Sequence, residues 1–209
     1  MKGAPCVLSV AEHTGWAHVI GVAAQGRVPA VVLRRRITLI DPDLPTQPYE
    51  HDTAAMRDED ADALIARVRR SINRHASIGL QRVEAELSPA YAIVALAIRE
   101  PPFSDLPGTV ADVRRSYRLQ CAADGMLYQL ALCRAARKLG YDVQLSRRGD
   151  EASKAAQCLD TTPGAVDDFV SRTGRPAGMP WTQEHRRAFA AGIAALALHL
   201  REPLHLMPT

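Results

Sequence analysis

The stretch VLSVAEHTGWAHVIGVA, Val7–Ala23, joins two apolar, β-rich runs through the tight Glu12-His13-Thr14-Gly15 turn. An acidic side chain stands where the first run ends. A third run, Ala30–Ile40, follows Gln25-Gly26-Arg27. Short, turn-rich links favour antiparallel neighbours, so the three runs read as a meander. Side chains alternate along a strand. Val31, Leu33, Arg35, Ile37 and Leu39 therefore share one face of the third strand, and Val32, Arg34, Arg36 and Ile40 the other. The Arg34-Arg35-Arg36 run is split between faces, which suits a charged, solvated edge strand better than a phosphate clamp.

Outward from the meander, Asp41–Pro48 carries three prolines and reads as a loop. A helix is expected over Ala54–Leu87, with Asp58, Glu59, Asp60 and Asp62 near the positive end of its dipole. Leu64, Ile65, Val68 and Ile72 form its apolar stripe. Gly79 is a candidate break within it, and Ser88-Pro89 a stop. Tyr91–Ile98, YAIVALAI, is a continuous apolar run of strand length, as in strands covered on both faces. Arg99-Glu100 and a Pro101-Pro102 loop follow. The pattern then predicts a helix over Thr109–Leu139 closed by Gly140, a fifth strand over Tyr141–Ser146 and a helix over Glu151–Leu159. A Gly/Pro-rich passage leads to a last helix over Thr182–His199. No internal repeat or composition shift divides the chain, so residues 1–209 read as one α/β domain. Its sheet is mixed, an antiparallel three-strand meander followed by parallel strands, about five in all, flanked by helices.

Of the 209 residues 47% are apolar and 23% charged, which suits a globular core and argues against wholesale disorder. A net charge of +3 is too small to mark a nucleic-acid binder. Lysine occurs only at positions 2, 138 and 154, so arginine supplies nearly all the positive charge. Arginine favours bidentate contacts to phosphate or carboxylate, although a GC-rich genome gives the same bias. Cys6, Cys121, Cys133 and Cys158 show no metal-ligand spacing and read as reduced, mostly buried thiols. MKGAPCVLSV lacks the apolar core of a signal peptide, and Phe189–Leu200 is too short to span a bilayer. A cytoplasmic location without membrane contact is the expectation.

The order βββ-α-β-α-β-α resembles the ribonuclease H-like superfamily, which includes Holliday-junction resolvases, over most of the chain. In that family the first strand typically ends in an aspartate followed by a glycine-containing turn. Here the stretch is Ala11-Glu12-His13-Thr14-Gly15-Trp16-Ala17, so Glu12 replaces or adjoins that aspartate. The resemblance implies Glu100 as the matching acid after the fourth strand. The paired acids of the family's last helix are missing, and Glu184-His185 is the nearest substitute. The segment Cys121-Ala122-Ala123-Asp124-Gly125 also resembles a His-Ala-Ala-Glu-Gly-like helix segment of uncharacterised bacterial proteins within or near that superfamily, a likeness that brings no known activity.

Carboxylates gathered at one strand-end cleft hold Mg²⁺ or Mn²⁺, and two such ions clamp the attacking and leaving oxygens of a phosphodiester. Glu12, Glu100 and Asp124 are the candidate metal ligands. His185, on the stripe Trp181, His185, Phe189, Gly192, Leu196, Leu200, is the candidate assisting acid or base, although a histidine on such a stripe is more often a hydrogen-bonded core residue. Asp124 falls on the stripe Val113, Tyr117, Cys121, Asp124, Tyr128, Ala131, Ala135. A carboxylate facing inward must find a partner, either a metal or a buried arginine or tyrosine. The leading expectation is a divalent-metal-dependent nuclease-like protein acting on nucleic acid, with a homodimer as a candidate assembly. The alternative is a binding or scaffold protein on the same fold whose catalytic acids have decayed. A nucleotide-binding half of the actin or sugar-kinase type would need a second lobe that 209 residues barely allow.

Overall fold

The computed structural model describes residues 3–103, 108–174, 176, 178, 180–200 and 202–207. Strands β1 (Ala4–His13), β2 (Trp16–Gln25), β3 (Val28–Thr38), β4 (Tyr91–Arg99) and β5 (Asp142–Ser146) form one sheet in the order β3-β2-β1-β4-β5. β1 pairs antiparallel with β2 and β2 with β3, whereas β4 runs parallel to β1 and β5 parallel to β4. The helices are α1 (Asp58–Leu87), α2 (Val110–Arg114), α3 (Tyr117–Lys138), α4 (Glu151–Cys158), α5 (Pro163–Thr173) and α6 (Gln183–Ala197). The meander, the parallel strands and the flanking helices are those the sequence predicts.

β1 lies at the centre and is buried on both sides, so its alternation divides two cores. Cys6, Leu8 and Val10 pack with Ile65, Ile72, Tyr128 and Leu132 of α1 and α3. Val7 packs with Ile20, Val22, Phe169, Phe189 and Ile193 on the opposite face. The β1–β2 link turns at Gly15, whose φ of +92° is a region that side chains disfavour. β3 is an edge strand, and its arginines diverge as the alternation requires. Arg35 pairs with Glu86, Arg36 lies 4.3 Å over the Trp16 ring, and Arg34 reaches the segment before α6. Among the described residues no helix is long and apolar enough to cross a membrane.

Several boundaries differ from the sequence reading. α1 begins at Asp58 and runs unbroken through Gly79. A Cβ there would lie 3.0 Å from Ile37, so this glycine serves close packing on β3 and not a break. The helix expected over Thr109–Leu139 is two, because Arg115 and Ser116 end α2 before α3 starts. Thr109 caps the first, its hydroxyl accepting from Asp112 N–H at 3.1 Å. Pro48–Asp52, expected as the end of a loop, forms one π-helical turn. α5 lies inside the passage read as an irregular link. Thr162-Pro163 starts it in the N-cap and first-position roles those residues favour, a signal the sequence reading missed. Cys121 and Cys158 are exposed, not buried, leaving Cys6 and Cys133 inside.

Gly192 on α6 sits where the helix crosses the sheet. An added Cβ would meet Val22 Cγ2 at 2.6 Å and Ser9 Oγ at 3.1 Å. Gly125 on α3 has no heavy atom within 4 Å of that position. Gly192→Ala is expected to destabilise the fold by about 1–3 kcal/mol through overpacking. Gly125→Ala is expected to stabilise it by about 0.5–1 kcal/mol through lost backbone entropy. Urea unfolding of both variants reads the opposite signs.

Candidate functional site

In open α/β sheets the carboxyl ends of adjacent parallel strands border the crevice in which ligands sit. Here that end belongs to β1, β4 and β5. A small cleft of about 60 Å³ between the strand ends and α4 and α6 is lined by Glu12, Arg99, Arg148, Glu151, Glu184 and Arg187. A larger one of about 590 Å³ lies against the N-terminal half of α3, lined by Arg99, Glu100, Phe103, Gly125, Gln129, Arg147 and Arg148 among others. Arg99 and Arg148 belong to both walls.

Glu12 continues the β1 face that packs on α3, and its side chain is only 5% exposed. A charge so placed needs partners. Gln129 Nε2 donates to Glu12 Oε1 at 2.8 Å, and Arg99 Nη2 lies 2.8 Å from the same oxygen. Arg99 follows Ile98 at the end of β4, where the strand's apolar run stops. Sequence reasoning took Glu100 as the residue of interest there and passed over its neighbour. Glu100 is exposed; its N–H donates to Ser146 O at 2.9 Å, and its carboxylate lies 3.4 Å from Arg147 Nε. Chain direction after β4 thus follows β5 and not β1.

Asp124 is 1% exposed, as its inward-facing position predicts. The rest of that stripe is only partly inside: Tyr128, Ala131 and Ala135 are buried, whereas Tyr117 and Cys121 are exposed. The partners of Asp124 are neither a buried arginine nor a tyrosine hydroxyl. Its two oxygens accept the backbone N–H groups of Tyr49 and Glu50, each at 3.0 Å. These belong to the first residues of the π-helical turn, where N–H groups lack acceptors within the helix. One turn along α3, Tyr128 OH donates to Thr46 O at 2.8 Å. The two side chains pin the proline-rich loop to α3. Burial is the main cause that pushes the Asp124 carboxyl up to about 6, opposed by the two amides.

His185 is 2% exposed. Its Nδ1 lies 2.6 Å from Thr182 Oγ1, closing a capping box at the start of α6, and its Nε2 lies 3.1 Å from Arg34 Nη2. Donors face both ring nitrogens, the Arg34 guanidinium at Nε2 and the Thr182 N–H at Nδ1 (3.2 Å), which disfavours the doubly protonated ring. Arg34 also donates to Gly178 O at 2.5 Å and Pro180 O at 2.9 Å. Burial, with His18, Arg34 and His13 nearby, holds the His185 pKa at about 4. Trp181 stacks on one side of the ring with centroids 5.4 Å apart, and His18 lies 4.3 Å away. His185 belongs to a latch that holds the segment before α6 against β3.

Among the described residues no group of three or more His, Cys, Asp or Glu side chains is placed to hold a metal ion. Glu12, Glu100 and Asp124 therefore do not converge as three ligands. Glu12 is engaged by Arg99 and Gln129, Glu100 by Arg147, and Asp124 by two amides. This donor set does not fit Mg²⁺ or Mn²⁺, which take several free oxygen ligands.

No protein-family model matches the chain, and no curated protein matches it in sequence. Solved structures do match its architecture. RuvC from Thermus thermophilus is 13% identical with a TM-score of 0.51, the match covering 93% of this chain and 95% of that one. RuvC from the same organism in complex with Holliday junction substrate is 15% identical with a TM-score of 0.52, covering 93% and 94%. The fold is ribonuclease H-like, as the element order suggests.

Asp124→Ala leaves two buried N–H groups without acceptors and is expected to destabilise the protein by about 2–4 kcal/mol, each unmet group costing about 1–3. Urea unfolding monitored by circular dichroism measures it. For His185 the folded pKa of about 4 lies below the ordinary 6.5. The unfolded chain binds a proton first as pH falls, so the contribution of this residue is complete above about 6.5 and is lost toward 4. Histidine Cε1–H titration by NMR is expected to show the ring neutral at pH 5.5, and His185→Gln to flatten the acid limb of stability against pH.

Proposed function

We propose that this chain binds nucleic acid along the carboxyl ends of β1, β4 and β5, gripping backbone phosphates with arginine. The observation that carries this reading is the Arg99 guanidinium, which lies on Glu12 and borders both clefts. Around it stand Arg147, Arg148 and Arg187. Among the described residues Arg148 and Arg187 make no ion pair, although Glu12, Glu151 and Glu184 line the same small cleft. Glu151, 6% exposed, turns its carboxylate to Gly149 N–H at 2.9 Å, and Glu184 lies 3.0 Å from His13 Nε2. Two guanidiniums are therefore open to an external anion. Arginine forks match phosphate oxygens in pairs and remain charged at any physiological pH. The likeness to a resolvase solved with a Holliday junction supports nucleic acid over other polyanions.

The role is binding, in keeping with catalytic acids that have decayed. Divalent-metal-dependent cleavage that depends on Glu12 is the second reading. It is favoured by the three glutamates that line one cleft. A cytoplasmic location and a homodimeric assembly belong to the same proposal, and sedimentation equilibrium reads the latter.

Gel-shift titration of four-way, duplex and single-stranded DNA without metal is expected to show binding. In Arg148→Gln/Arg187→Gln it should weaken, and the slope of log K against log salt should fall by about 1–2, at about 0.9 for each phosphate no longer neutralised. Incubation with Mg²⁺ or Mn²⁺ is expected to leave the DNA intact. Cleavage that disappears in Glu12→Gln would replace the binding role by the second reading.

A further inference from the structure

The α1–α3 layer carries a second charged feature, outside the strand-end clefts. Between Asp62 and Glu84 the α1 sequence holds Arg67, Arg69, Arg70, Arg74 and Arg82 and no carboxylate. All five arginines are exposed. The neighbouring end of α3 adds Arg134, Arg137 and Lys138, also exposed, and the one acid of that helix, Asp124, is buried. A bond across the helix pair ties the two sets together: Arg134 Nη1 donates to Asn73 Oδ1 at 3.1 Å. Arg69 and Arg134 line the same groove between the helices.

Ordinary solvated helix faces mix the two signs, and elsewhere this protein does so. Arg57 pairs with Asp60, Arg115 with Asp112 and Arg114 with Asp58. In the α1–α3 patch only Arg74 is neutralised, by Asp41. Among the described residues Arg67, Arg69, Arg70, Arg82, Arg137 and Lys138 make neither an ion pair nor a side-chain hydrogen bond. With a net charge of only +3 overall, this clustering is segregation of charge and not a general excess.

We propose that this patch is a second nucleic-acid surface, which holds the backbone of a duplex while the strand-end cleft holds another segment. The inference rests on the nucleic-acid reading of the cleft. Arg67 and Arg82 are separated by about 22 Å along α1, at 1.5 Å per residue. That length matches about six to seven base pairs of duplex at 3.4 Å each. Along α3, Gly125 in the wall of the larger cleft is about 18 Å from Arg137. The two surfaces are thus separate, and one bent, long or branched nucleic acid can touch both. Arginines that contact backbone phosphates fix position and not sequence, so the proposed contact is independent of sequence.

The test compares Arg67→Gln/Arg70→Gln/Arg137→Gln with Arg148→Gln/Arg187→Gln by fluorescence anisotropy across a salt series. The probes are a blunt duplex of about two helical turns and a four-way junction. The triple variant changes only solvated side chains, and an unchanged melting temperature checks its fold. It is expected to weaken junction binding and lower the salt slope by about 2–3. An unchanged slope and affinity on both probes, while the cleft variant weakens them, overturns the second surface and leaves the cleft standing. Weakening in the triple variant alone keeps the patch and overturns the cleft. Absence of any binding by the wild type overturns both. Equal binding of polyglutamate, or of phosphatidylserine vesicles at matched charge, overturns nucleic acid as the occupant of the patch.

Discussion

A carboxylate at the end of a strand buried on both faces must be neutralised from within the protein or by something bound. In this fold the Arg99–Glu12–Gln129 cluster meets that constraint internally. Glu12 is drawn inside because β1 is central and its alternation points this residue toward α3. Gln129 and Arg99 come from α3 and β4, elements that reach Glu12 only because the parallel pairing of β1 and β4 and the packing of α3 are correct. The cluster therefore reports on the whole topology. It also sets the sign of the cleft. With Glu12 held by Arg99, the Arg148 and Arg187 guanidiniums are left without an ion-pair partner among the described residues.

The same requirement, applied to other buried polar groups, explains the second half of the molecule. Asp124 supplies acceptors to the π-helical turn, and Tyr128 supplies a donor one turn on. Arg34 supplies donors to two carbonyls and a histidine before α6. In each case a long irregular connection is fixed by one or two side chains from a regular element. Irregular backbone must place its N–H and C=O groups somewhere, and regular elements are the only rigid source of partners. The residues that looked most chemical in the sequence are thus the ones holding loops.

The sheet was legible because its signals are local. Period-two alternation, two-residue turns with glycine, and the continuous apolar run of β4 each require only a few neighbouring residues. Glu12 as a special position was legible for the same reason, since it stands at the boundary between a buried run and a turn. The partners were not legible. Gln129 is 117 residues from Glu12 and Asp124 is 75 from Tyr49, and no local pattern records such distances. A backbone amide also leaves no trace in the side-chain sequence, so the acceptor role of Asp124 could be expressed only as a need for some partner. α5 was missed for a different reason. Glycine and proline in the Thr162–Gly164 stretch were read as loop composition, when Thr-Pro at a helix start carries the opposite meaning.

Arginine and a divalent ion both satisfy a buried carboxylate, but they leave different chemistry behind. A metal keeps open coordination positions, polarises a phosphoryl oxygen and lowers the pKa of bound water. A guanidinium has no lone pair to offer and no position to open, and it does not deprotonate at neutral pH. It can stabilise charge on a phosphate and orient it, yet it generates no nucleophile. His185 could supply a base only if its ring lone pair faced the cleft, and both ring nitrogens face protein groups, Arg34 and Thr182. With these groups engaged within the protein, the cleft suits the recognition of a phosphodiester that the proposed function assigns to it. On the same proposal, the charge segregated onto α1 and α3 extends that recognition to a second surface. In the proposed role the ribonuclease H-like frame is a rigid spacer between two anion-binding surfaces, which requires the helices and strands to stay in place.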